Sequence, residues 1–195
     1  MMVKAITYSH NVSFVSDRAF QAHYKLYVGY VDKANEILSE LSQDSKPEKA
    51  NKNYSHYRGL KKELSYNLSS VLLHESFFRN ACRDKHEPDK AYVKLAQDCF
   101  GSYENWCNDF LSTGQAARGW CIAAYELKTC ALQNILLDAH DSGLIVGMYP
   151  LIVMDCYEHS YMIDYPANQN LYVLNFIKSI CWDVVGKRMK VLEVK

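Results

Sequence analysis

Asp155 and His159 stand four residues apart in Met154-Asp155-Cys156-Tyr157-Glu158-His159-Ser160-Tyr161, directly after the apolar run 150–154. An ionised carboxylate at the end of a buried strand is costly unless a positive partner sits beside it. A metal ion is one such partner. Asp with neutral His is a mixed oxygen and nitrogen pair suited to zinc, iron or manganese. Two ligands do not close a site, and Asp-x-x-x-His alone is a short pattern that arises by accident. The remaining ligands have to come from elsewhere in the chain.

The chain has seven histidines: His10, His23, His56, His74, His86, His140 and His159. His56 and His86 lie in polar stretches and His10 near the N-terminus, where exposure without a special role is the expectation. His23 and His74 fall on apolar faces of helical patterns, and singly each reads as a satisfied core histidine. His140 ends a strand-like run. Together His23, His74, Asp155 and His159 supply three imidazoles and a carboxylate, a mononuclear site for a redox metal with room for bound solvent.

The elements that must position these residues follow from periodicity. From a cap at Ser16 or Asp17, Phe20, His23, Tyr27, Tyr30, Val31 and Ala34 recur at helical steps, predicting a helix to about Leu41. His23 and Tyr30 then lie on nearly one meridian, two turns apart. Residues 42–58 read as a polar loop, and a second helix is predicted over about Leu60 to Cys82. Two long helices joined by a polar loop fold back as an antiparallel hairpin and bring His23 and His74 together across its seam. Arg83 to Pro88 is a charged break ending in proline, and the boundary is placed there: 1–86 as a helical-hairpin domain and 87–195 as an α/β domain, with the metal site between them. Two short helices, near Asp89–Cys99 and Tyr103–Ser112, precede strand-like runs starting at Trp120, Ala131 and Tyr149, and one helix, about Asn170 to Trp182, closes the chain. The expected class is α+β, with a three-stranded antiparallel sheet in the C-terminal half.

Composition narrows the partners. Lysines and arginines number 22, as do aspartates and glutamates, so charge gives no reason to expect nucleic acid or an anionic membrane. No run approaches a membrane span, and the N-terminus carries no signal-peptide pattern. Seven cysteines without a C-x-x-C pair argue against a disulfide framework or a thiolate zinc site, and point to a reducing, cytoplasmic compartment.

The residues also carry a resemblance. Asp155-Cys156-Tyr157-Glu158-His159-Ser160-Tyr161 resembles the Asp-x-Trp-Glu-His-x-Tyr signature of the iron/manganese superoxide dismutase family. The segments from His23 to Val31 and from Leu73 to Phe78 resemble that family's first- and second-ligand segments. Gly119-Trp120 resembles the start of its first strand, and Trp182-Asp183 its tryptophan after the last helix. The resemblance spans about Ser16 to Val185.

It implies a superoxide dismutase that cycles one iron or manganese ion per chain, held by His23, His74, Asp155 and His159 with a bound solvent. Tyr30 takes the place of the family's tyrosine at the channel mouth. His140 takes that of a glutamine, in some members a histidine, bonded to the metal-bound solvent. Trp120, Tyr157 and Trp182 are implied in the hydrophobic shell. Glu158 is implied at a homodimer interface, with a tetramer as the alternative. Iron and manganese share this ligand set, and His140 with the altered shell leans towards iron or dual use. Tyr157 replaces the signature tryptophan. Leu26 and Met162 replace a His and a Tyr that bond across the interface, and Gln169 stands where arginine is common. Two other readings stay open: a weak or inactive dismutase-fold protein with a binding or structural role, and a non-haem iron oxygenase, against which the fourth protein ligand argues.

Overall fold

Ser16 opens the first helix, its Oγ accepting the amide of Ala19 at 3.2 Å with Asp17 in the first turn. In the computed structural model of the protein, which describes residues 2–44, 47–83, 87–143 and 145–193, this helix, α1, runs Asp17–Asp44. Phe20, His23, Tyr27, Val31, Ala34, Ile37 and Leu41 form its buried stripe at three- and four-residue steps. Residues 45–46 lie outside the described ones, and Pro47–Lys49 form a single 3-10 turn inside the segment predicted as loop. Helix α2, His56–Asn80, starts earlier than predicted because Ser55 caps it, its Oγ accepting the amide of Arg58 at 3.1 Å. Asn67, Ser70, Val71, His74 and Phe77 face inward from α2, and α1 and α2 pack as the expected hairpin.

Residues 2–15 carry no regular structure and lie as a strap on the hairpin. Asn35 takes the Val3 amide at 2.8 Å and returns a bond to its carbonyl at 2.9 Å. His10 is not the free surface residue expected: its Nε2 lies 2.9 Å from the Val15 carbonyl and its ring packs on Phe20.

The predicted break contains residues 84–86, which lie outside the described ones. Helices α3 (Lys90–Phe100) and α4 (Tyr103–Ala116) follow, capped by Asp89 and Ser102. Strands β1 (Trp120–Glu126), β2 (Ala131–Leu137) and β3 (Met148–Asp155) form an antiparallel sheet in the order β2-β1-β3. Its register sets Trp120 opposite both Leu137 and Asp155. Gly119 makes this approach fit, because a Cβ there would meet the Leu137 carbonyl oxygen at 2.7 Å. A short helix, α5 (Glu158–Tyr161), comes next.

The chain does not close on one helix. α6 (Gln169–Lys178) and α7 (Trp182–Glu193) are separate. The backbone between them leaves the helix to bond the exit of α2: Cys82 N donates to Ser179 O at 3.0 Å and Cys181 N to Asn80 O at 2.7 Å. The main core combines Val12, Phe14, Leu73 and Phe77 from the N-terminal half with the sheet, Trp106, Phe110, Tyr172 and Phe176.

Candidate metal centre

α1 contributes His23, α2 contributes His74, and the end of β3 with α5 contributes Asp155 and His159. These four are the cluster of metal-capable side chains found among the described residues, with ligand atoms all within 4.8 Å of one another. Local structure explains the Asp155–His159 pair. Asp155 Oδ1 accepts the amide of Tyr157 at 2.9 Å, which turns the chain into α5 and swings His159 back over the carboxylate. The Asp155 carbonyl is held by Ser160 Oγ at 3.1 Å and the Tyr172 hydroxyl at 2.8 Å.

The second carboxylate oxygen faces all the imidazoles. Asp155 Oδ2 lies 3.0 Å from His23 Nε2, 3.2 Å from His159 Nε2 and 3.6 Å from His74 Nε2. Ligand atoms about 2.1 Å from a common centre, at roughly 90–120° to each other, lie about 3.0–3.6 Å apart. The spacings match such a set.

His74 supplies the sharper test. Its Nδ1 donates to the Ser70 carbonyl at 2.7 Å, so in the neutral ring Nε2 carries the lone pair. That Nε2 is buried, has no hydrogen-bond partner, and faces an acceptor oxygen. Two buried lone pairs turned towards each other are unfavourable unless a cation lies between them. The donor set therefore fits a metal ion of the iron and manganese kind, nitrogen-rich with one carboxylate.

Electrostatics agree. Burial, followed by the neighbouring His23, lowers His74 to about 3. Burial likewise lowers His23. Burial pushes Asp155 up, but hydrogen bonds from His159 and His23 outweigh it and hold the carboxyl well below its usual range. At neutral pH the site presents neutral His74 and an ionised Asp155, the states that bind metal.

Aromatic side chains enclose the cluster. Trp120 stands edge-on to His74 at 5.0 Å, Tyr157 stacks on His159 at 5.3 Å, and Phe77 and Phe78 flank His23 at 5.1 and 5.2 Å. Trp182 is elsewhere: its ring neighbours are Tyr92, Tyr103 and Trp106 in the layer of α3 and α4. Its predicted place in the shell is corrected accordingly. It opens α7 and turns its ring towards α3 and α4.

His140 and Tyr30 meet above His74. Trp120 Nε1 donates to His140 Nδ1 at 2.9 Å. Indole nitrogen is only a donor, so the His140 proton sits on Nε2 and is donated to the Tyr30 hydroxyl at 3.1 Å. Both His140 nitrogens are thereby engaged, and it adjoins the cluster through Tyr30. Burial lowers His140 to about 4 and keeps the ring neutral. Burial and then Tyr66 raise Tyr30 to about 12.

Tyr66 was not anticipated. Its ring lies 4.6 Å from His140 and 6.3 Å from Tyr30, and after burial its phenol is the next cause that raises Tyr30 and Tyr157. The signal was available, since Tyr66 precedes His74 by eight residues and two turns of α2 bring it to the same face. Outside Tyr30, a shallow groove on α1 is lined by Ala22, Lys25, Leu26, Gly29 and Lys33. Glu158 is exposed, as are Leu26, Met162 and Ile163.

Comparison with known proteins agrees with this geometry. Residues 88–188 match the model of the C-terminal domain of iron/manganese superoxide dismutases. The chain is 40% identical over 174 residues to "Superoxide dismutase [Fe]" of Aquifex aeolicus (strain VF5), covering 88% of this chain and 80% of that protein. It is 39% identical, with the same coverage, to "Superoxide dismutase [Fe]" of Aquifex pyrophilus. It is 30% identical to "Superoxide dismutase [Mn] 2" of Haloferax volcanii, over 85% of this chain and 80% of that one. With the cluster, the sheet register and these similarities together, the chain belongs to the iron/manganese superoxide dismutase family.

Proposed function

We propose that this protein converts superoxide to dioxygen and hydrogen peroxide, two superoxide ions and two protons giving one molecule of each. The observation that carries the reading is the buried, unanswered lone pair of His74 Nε2 beside Asp155 Oδ2. One iron or manganese ion per chain, held by His23, His74, Asp155 and His159, would supply one-electron redox chemistry. Similarity to two relatives named for iron, at 40% and 39%, favours iron as the first metal to load.

The chain's own residues do the rest. Asp155 offsets cationic charge in a site that the surrounding rings keep dry. Tyr30 keeps its phenolic proton to about 12, so at neutral pH it is a proton donor at the mouth. His140 is a positioning residue: its Nε2–H donates a hydrogen bond to the Tyr30 oxygen, which leaves the Tyr30 hydrogen facing away from it. Lys25 and Lys33 flank the groove outside Tyr30 and favour approach of a small anion.

The chain acts as a homodimer in this reading, through the face that exposes Glu158, Leu26 and Met162, with a tetramer as the alternative. Its division at 86/87 and a cytoplasmic setting belong to the same reading. The latter is supported by the lack of a disulfide among the cysteines, and the balanced charge supports neither nucleic acid nor membrane as partner.

The test loads the purified protein with iron or manganese and measures metal content and superoxide consumption together. About one ion per chain is expected, with consumption far above that of the metal-free protein. His74→Ala and Asp155→Ala are expected to lose most of the metal, since each removes a buried ligand. Full occupancy in either variant refutes the ligand set. Full occupancy of the parent without superoxide consumption refutes the activity and favours the non-catalytic reading, which Tyr157, Leu26 and Met162 motivate. Sedimentation equilibrium giving a monomer refutes the dimer.

A further inference from the structure

Cys99 and Cys130 are the exposed cysteines of the chain; Cys121 and Cys156 are buried and the other three half-buried. They come from distant elements, Cys99 from the last turn of α3 and Cys130 from the β1–β2 hairpin, yet they share one small neighbourhood. Cys99 Sγ lies 3.2 Å from the amide of Leu132, two residues beyond Cys130. Leu132 pairs directly with Tyr125 across the hairpin, so the two side chains project from the same face of the sheet. Cys130, then burial, raise the Tyr125 phenol and Cys99 adds to the effect, so both thiols lie near this ring. The sulfur of Cys99 thus rests on the backbone two residues from Cys130.

The backbone adds an independent observation. The hairpin closes after Glu126, whose carboxylate accepts the amides of Lys128 and Thr129 at 2.9 and 2.8 Å. Cys130 then takes φ 58°, left-handed space where glycine or asparagine is preferred. A side chain there crowds the following carbonyl, a strain that glycine avoids.

We propose that Cys99 and Cys130 form a peroxide-sensitive dithiol that closes to a disulfide, tying the β1–β2 hairpin to α3. The sulfur of one thiolate attacks an oxygen of hydrogen peroxide and the O–O bond breaks, giving a sulfenic acid and water after protonation. The second thiolate attacks that sulfur, the S–O bond breaks, and hydroxide leaves and takes up a proton as water. Overall, two thiols and one peroxide give one disulfide and two waters. The inference rests on the proposed dismutase activity only for a nearby source of peroxide.

The test adds peroxide to the reduced full-length protein, blocks remaining thiols by alkylation, and maps peptides without reduction. A parallel arm uses diamide, an oxidant of thiols that needs no metal. The expected product is a peptide pair joined through Cys99 and Cys130, released by dithiothreitol, with the thiol count in denaturant falling by two from seven. Cys130→Ser and Cys99→Ser should each abolish the cross-link. Full alkylation of both residues after both oxidants overturns the proposal, as does a disulfide between chains or to another cysteine. A protein without superoxide-consuming activity leaves this test intact, because the oxidant is supplied.

Discussion

At His74 the backbone sets the protonation of the ring. Ser70 O takes the Nδ1 proton, and the bare Nε2 is left facing Asp155. His140 is set the same way from the opposite side: Trp120 can only donate, so His140 must accept at Nδ1 and donate at Nε2 to Tyr30. A glutamine offers one amide oxygen and one amide N–H₂ and can keep both bonds, whereas alanine keeps neither. His140→Gln is therefore expected to retain the metal while shifting its reduction potential and changing the rate. His140→Ala leaves the buried Trp120 N–H without an acceptor, a loss of about 1–3 kcal/mol in stability, and should lower activity by at least about tenfold. Metal analysis, potentiometry and superoxide consumption on the two variants check this. Equal potential and turnover in His140→Gln and the parent would remove His140 from the mechanism.

The exit of α2 joins three elements through one side chain. Asn80 is buried, accepts the amide of Val153 at 2.9 Å and Arg188 at 2.9 Å, and donates to the Leu151 carbonyl at 3.2 Å. Its own carbonyl takes the amide of Cys181. One side chain thus couples α2, which carries His74, to β3, which carries Asp155, and to α7. Asn80→Ala leaves several of these groups unpaired inside the protein, each costing about 1–3 kcal/mol. The expected result is a denaturation midpoint lowered by the equivalent of about 3 kcal/mol or more, with weaker metal retention although no ligand is touched. A midpoint within error of the parent would mean that water satisfies the vacated groups.

For the whole molecule, the same burial that prepares the ligands makes the metal-free protein acid-sensitive. His74 and His140 titrate at about 3 and about 4 in the folded chain, and at about 6.5 when unfolded. Their folded values are depressed, so the unfolded chain takes up protons first as pH falls. The stability they confer is complete above about 6.5 and is lost progressively towards about 4. Thermal midpoints of the metal-free protein are expected to be flat above about pH 7 and to fall between about 6.5 and 4. His140→Gln should make the slope shallower. A midpoint constant over that window would contradict the burial of these rings. Metal should raise the midpoint at neutral pH and lose its effect in acid, where protons compete for the same nitrogens.

Much of this was legible in the chain itself. The helical spacing of His23, Tyr30 and His74, the apolar run into Asp155, and the polar connection between the helices specify a hairpin facing a strand end, because helix and strand periods are local properties of sequence. Residue types alone determined that three imidazoles and a carboxylate were available for a metal. Other features depended on packing at long range. The split of the last helix into α6 and α7 comes from bonds to α2 roughly a hundred residues away in sequence. Packing against rings of α3 and α4 likewise removes Trp182 from the site. Only the tertiary structure gathered three ring nitrogens around one oxygen of Asp155, aimed His140 Nε2 at the Tyr30 hydroxyl, and set Tyr66 against Tyr30 and His140. Those relations join α1, α2 and β3, and no local pattern encodes the direction in which a hydrogen bond between distant elements will run.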